Sequence, residues 1–109
     1  MSTFVIKKNN TSPVLQATLK DAFGNVINLN GASVRFHMKE LGERTLKIDT
    51  QAEIVEPATS GIVRYSWRSG DTSSAGIFKA EFEVTYYDNN VETFPNEDFI
   101  TILIQSGLD

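Results

Sequence analysis

The feature that most constrains this chain is a strict alternation of apolar and polar residues, clearest where Phe78, Ala80, Phe82, Val84 and Tyr86 interleave with Lys79, Glu81, Glu83 and Thr85. Successive side chains point to opposite faces only in an extended strand, so this segment buries one face and wets the other. Val34, Phe36 and Met38 against Arg35, His37 and Lys39 repeat the pattern, as do Val63, Tyr65 and Trp67 against Arg64, Ser66 and Arg68. Leu15, Ala17 and Leu19 make a shorter strand. Leu46, Ile48, Ala52 and Ile54 share one parity, which predicts a core-facing strand with a turn near Asp49. Thr50-Gln51-Ala52-Glu53 fits a helical capping box, but Ile54-Val55-Glu56-Pro57 stops any helix there, and the strand reading is preferred.

Residues that tolerate positive φ punctuate these runs. Asp21-Ala22-Phe23-Gly24-Asn25, Asn30-Gly31, Pro57 to Gly61, Ser69 to Gly76 and Asp88-Asn89-Asn90 all read as turns or loops. Turns at about ten-residue intervals predict an antiparallel sandwich or barrel. A chain of 109 residues is expected to form one domain over its whole length. That length buries roughly two-thirds of the unfolded surface, so neither metal nor disulfide is needed to fold.

Phe99-Ile100-Thr101-Ile102-Leu103-Ile104 is apolar on both faces. Such a strand is either covered on both sides within the fold or meets a partner with its outer face. Phe99 and Leu103 are the residues whose exposure distinguishes these readings.

Charge and cysteine content exclude several function classes. The net charge of −4, with both signs interspersed, offers no basic patch for nucleic acid or an anionic membrane. The absence of cysteine removes thiolate catalysis and disulfides, and fits folding in a reducing cytoplasm. Met1 to Ile6 followed by Lys7-Lys8-Asn9-Asn10 lacks the order of a signal peptide, and no stretch has the length of a membrane span.

No residue set points to catalysis. His37 is the only histidine, its near neighbours Arg35 and Lys39 are cations, and it is expected to be a solvated surface imidazole. Ser73-Ser74-Ala75-Gly76 lacks the nucleophile elbow, and Gly70-Asp71-Thr72 lacks the glycines, lysine and helix of a phosphate loop. Glu81 and Glu83 share an outward face, while Glu40 and Glu43 flank a turn. Asp88 and Glu92 with Asn89 and Asn90 offer oxygens to calcium without the spacing of a calcium loop. The expectation is therefore no enzyme, no cofactor and no metal. The sequons at Asn9 and Asn10 carry no meaning without a signal peptide. Tyr65, Trp67, Phe82 and Tyr86 fall on inward faces. Tyr87, Phe94 and Phe23 are the aromatics left for a surface; their expected role is packing under turns, and the alternative is sugar stacking on a shelf of Tyr87 and Phe94.

The order of short motifs carries a resemblance. Ile6 to Pro13 leads into Leu15 to Asp21 and Gly24-Asn25-Val26, then Leu29 to Met38. Gly61 to Trp67, Gly70-Asp71-Thr72 and Ala75 to Phe82 follow, and Thr93-Phe94-Pro95-Asn96 with Ile100-Thr101-Ile102 ends the series. Across nearly the whole chain this resembles the N-terminal domain of tailed-phage baseplate upper proteins and small proteins encoded among phage tail genes. It departs from that pattern at Asn9-Asn10, where a Gly-Asp pair is expected before Thr11. The resemblance implies an immunoglobulin-like antiparallel β-sandwich that sits in the tail tip or baseplate of the virion after synthesis in the host cytoplasm. It further implies an adaptor between the tail hub and receptor-binding proteins, with other tail proteins as partners and no catalytic residues. Phe99, Leu103, Tyr87 and Phe94 are the candidate partner-binding residues. Self-association, a carbohydrate-binding module for host recognition and an assembly factor absent from the finished virion are the alternatives.

Overall fold

The computed structural model describes residues 3–96 and 99–108. Among the described residues nine strands form two sheets: β1 (Thr3–Lys7), β2 (Leu15–Thr18), β3 (Ser33–Glu40), β4 (Ile48–Gln51), β5 (Glu53–Ile54), β6 (Ile62–Tyr65), β7 (Gly76–Thr85), β8 (Val91–Phe94) and β9 (Ile100–Gln105). The larger sheet runs β1-β9-β7-β3-β4, with β8 also on β7, and the smaller runs β2-β6-β5. The expected all-β sandwich is present. One pairing departs from the antiparallel expectation: β1 lies parallel to β9, with Thr3 opposite Thr101 and Lys7 opposite Gln105. The first strand of the large sheet thus closes on the last, a pairing that local periodicity does not encode.

The alternating residues do what their period requires. Val34, Phe36 and Met38 of β3 and Phe78, Ala80, Phe82 and Val84 of β7 are buried, and Phe36 stands directly opposite Phe82. From the small sheet Leu15, Val63 and Tyr65 meet them, and Trp67 closes the layer just beyond β6. Phe36 joins the sheets, its ring stacked on Tyr65 at 4.3 Å and edge-on to Trp67 at 5.9 Å between centroids. Such offset and edge contacts add about 0.5–1.5 kcal/mol each beyond burial.

The segment from Leu46 to Val55 corrects two expectations. Asp49 is not a turn; it lies within β4, opposite His37. The break falls at Ala52, which is buried and donates its N–H to Val34 O before the chain enters β5 and pairs with β6. A small side chain lets the backbone pass between the sheets. Leu46 is also not in the core: it is 40% exposed. Lys47 donates to Met38 O although Met38 already opposes Ile48, so two residues face one. That β-bulge reverses the parity of everything before it.

The loops follow their turn chemistry. Asp88 to Asn90 joins β7 to β8 with Asn89 at φ +69°, and Pro57 to Gly61 closes the β5–β6 hairpin through a single 3₁₀ turn, Ala58–Ser60. The β6–β7 loop is tied to the N-terminal segment: Asn9 N–H donates to Thr72 O, and the buried Thr72 hydroxyl donates to Asn10 O at 2.8 Å.

Candidate interaction surface

Strand register determines which side chains share the solvent face of the larger sheet. Residues opposite one another across a ladder project to the same side. Leu103 of β9 is opposite Val5 of β1 on one side and Ile77 of β7 on the other. Leu41, one residue past β3, donates its N–H to Ile77 O and continues the row. Val5 and Ile77 are each 49% exposed and Leu41 53%, while Leu103 is half-buried between its neighbours. Four apolar side chains from four strands therefore form one unbroken row facing water. Scattered exposed apolar residues need no explanation, but a contiguous patch marks a site of contact.

The next row along the strands is Thr3, Thr101, Lys79 and Lys39. Beyond it stand Glu81, His37 and Asp49, opposite one another in turn. Phe99 lies at the same end, with Lys79 Nζ 5.3 Å from its ring centroid. His37, Lys39, Leu46, Lys79, Glu81 and Phe99 line a shallow cleft of about 240 Å³ here.

His37 differs from the expected solvated imidazole. Its side chain is 19% exposed, and its Nε2 lies 3.1 Å from Asp49 Oδ1, which also accepts Arg35 Nε at 2.9 Å. Its partner comes from β4, twelve positions away in sequence, which no local spacing reveals. The hydrogen bond from Arg35, opposed by partial desolvation and aided by the charges of Arg35 and His37, holds the Asp49 carboxyl below the usual carboxylate range. A carboxylate so engaged and a histidine tied to it position a surface.

The four sequence-derived candidates separate. Phe99 and Leu103 share the outer face of the sheet, at opposite ends of the patch. Tyr87 is 81% exposed beside the β7–β8 turn. Phe94 is 2% exposed and opposite Phe82 on the core side, so it packs as expected, and the shelf with Tyr87 that the carbohydrate alternative needs is not formed. Phe23 is 90% exposed and stands apart in its own turn. The oxygens considered for calcium have other partners: Asp88 caps Asn90 N–H, and Glu92 Oε1 accepts the Tyr86 hydroxyl at 2.8 Å. Among the described residues no three His, Asp or Glu side chains converge as metal ligands. A larger hollow of about 440 Å³ separates β2 and the following turn from Phe94, Pro95 and Ile100, and among the described residues Lys20 and Asp21 are the charged ones that line it.

Sequence reasoning missed Val5, Ile77, Leu41, Lys39 and Lys79 as parts of a surface. Ile77 carried a usable signal, since it shares parity with Lys79, Glu81 and Glu83 and is the one apolar residue on that side of β7. Val5 and Leu41 carried none, because only the parallel β1–β9 pairing and the β3–β7 register bring them beside it.

No curated protein matches the chain. The profile of the BppU N-terminal domain matches residues 4–102, a span that runs from β1 into β9 and includes both sheets. The chain belongs to the BppU N-terminal domain family, the N-terminal domain of the phage baseplate upper protein, and is a structural component of a phage baseplate.

Proposed function

We propose that this domain docks onto other baseplate or tail-tip proteins through the solvent face of its larger sheet, linking the tail hub to receptor-binding proteins without catalysing a reaction. The observation that carries the reading is the row Val5, Leu103, Ile77 and Leu41, apolar and continuous on the wet side of the sheet. Burying that row under a partner removes apolar area from water, the main drive of association. An interface of standard size takes about 800 Å² from each side, within the reach of one sheet face. The domain works in this reading as one folded unit. A carbohydrate-binding role is left with Tyr87 and the separate Phe23 and no shelf between them, since Phe94 is in the core.

Mass spectrometry of purified virions of the encoding phage, with immunogold labelling, tests the reading. Stoichiometric signal at the tail tip is expected. A clean particle without the protein sinks the docking role and favours an assembly factor.

A further inference from the structure

The outer face contains an arrangement that strand pairing by itself penalises. Lys39 of β3 and Lys79 of β7 are directly opposite each other. Like charges so placed destabilise an antiparallel pair. Both lysines are half-buried, and among the described residues neither has an acid within ion-pair distance. Lys79 rests against the Phe99 ring, His37 is committed to Asp49, and Glu81 stands opposite His37 rather than opposite a lysine. Among the described residues of the cleft only Glu81 offsets this pair, and local rules broken with so little compensation mark functional positions.

We infer that the cleft between Lys39 and Lys79 receives a carboxylate side chain of the docking protein, whose neighbouring apolar residues cover the Val5–Leu103–Ile77–Leu41 row. The inference rests on the baseplate docking reading and names the partner's chemistry. The lysine row lies two residues along the strands from the apolar row, about 7 Å. The partner therefore presents an acid and an apolar side chain about 7 Å apart, a spacing met by residues i and i+2 of a strand. Docking excludes water and strengthens each ammonium–carboxylate attraction. A partner with apolar residues alone would bury two ammonium groups against the single described acid of the cleft, Glu81, so the cleft also selects against wrong partners.

A second copy of this chain supplies that acid poorly. Pairing two apolar rows about a two-fold axis along the row sets Thr3 and Thr101 against Lys7 and Gln105, and brings Lys39 toward the copy's segment beyond Leu41, which includes Glu43. An axis along the strands sets Lys79 and Lys39 against Thr101 and Thr3. The second arrangement leaves both lysines without an acid and the first offers one to Lys39 alone, so the face suits a different protein better.

Zero-length carbodiimide coupling of intact virions, followed by peptide mass spectrometry, reads the contact directly, because it joins a lysine amine only to a carboxylate touching it. Lys39 or Lys79 joined to an Asp or Glu of another tail protein is the expected product. In parallel, Lys39→Glu places an acid opposite Lys79. The isolated variant should melt at the same temperature or higher, yet enter particles about tenfold less well, since it now repels the incoming carboxylate. Lys39→Arg should enter as the parent does. In particles that carry the protein, three results overturn the inference: coupling only to this chain's own carboxylates, no coupling to protein at all, or full incorporation of Lys39→Glu. The first two results differ in meaning: self-contacts point to self-association, and no coupling points to a non-protein anion. A particle lacking the protein instead overturns the docking reading itself.

Discussion

The Tyr65 hydroxyl donates to Asp71 Oδ2 at 2.5 Å, and the same oxygen accepts the Arg68 N–H at 2.7 Å. One carboxylate thereby holds the end of β6, the start of the β6–β7 loop and a core ring whose other face stacks on Phe36. Burial, with the hydrogen bond to Asp71 and its charge, pushes the Tyr65 phenol well above its ordinary range. Tyr65→Phe keeps the stacked ring and loses one charge-assisted hydrogen bond, so it should cost about 1.5 kcal/mol. Asp71→Ala should cost more, because it strips both the hydroxyl and the Arg68 N–H of their acceptor. Urea unfolding of the two variants checks the order, and an Asp71→Ala variant as stable as Tyr65→Phe would contradict it.

Gly61 closes the β5–β6 hairpin at φ +71°, and a Cβ there would lie 2.9 Å from Ile27 O and 3.0 Å from Leu19 O. Its own carbonyl accepts the Leu19 N–H, so the backbone has no freedom to retreat. Gly61→Ala therefore combines left-handed strain with a backbone clash and should cost more than about 1 kcal/mol. Gly24→Ala, at φ +85° with open space around the added carbon, is the matched control for strain alone. Thermal melts should place Gly61→Ala clearly below Gly24→Ala.

The Tyr86 phenol is pushed up to about 12 from an ordinary 10, by burial first and then by its hydrogen bond to Glu92 and that residue's charge. The folded state thus favours the neutral phenol. Its contribution to stability is complete below pH 10 and is lost as pH rises from 10 through about 12. Tyr86→Phe should be less stable than the parent at pH 9, with the gap narrowing as pH climbs through that window. Denaturant unfolding at stepped pH measures it, and a constant gap would show that Tyr86 ionises no differently in the folded chain.

The core was legible because period two is a geometric consequence of the strand, and every apolar residue assigned inward from Val34 to Met38 and from Phe78 to Val84 is buried. Phe94 was misread as a partner-binding candidate since β8 has only four residues, of which Glu92 and Thr93 hide the alternation. Leu46 failed for a different reason, the bulge opposite Met38, which a sequence pattern passes over. The surface was the least legible part. Val5, Leu41, Ile77 and Leu103 are far apart in the chain and become neighbours only through a parallel and two antiparallel registers, as His37 meets Asp49 only across β3 and β4.

Ile77 offers the cleanest separation of folding from docking. Its side chain is 49% exposed at the centre of the apolar row, between Leu103 and Leu41, while its neighbour Phe78 is in the core. Ile77→Thr keeps a β-branched residue that suits a strand, so the isolated domain should change by less than about 0.5 kcal/mol. Against a partner the same change removes apolar contact from the middle of the interface, where truncations cost most, and should weaken assembly about tenfold or more. Phe23→Ala, 90% exposed in a turn remote from the row, should alter neither property. Incorporation of the two variants into particles, measured by quantitative mass spectrometry beside their melting temperatures, decides the matter. Equal incorporation of Ile77→Thr and Phe23→Ala would move the docking surface away from this face.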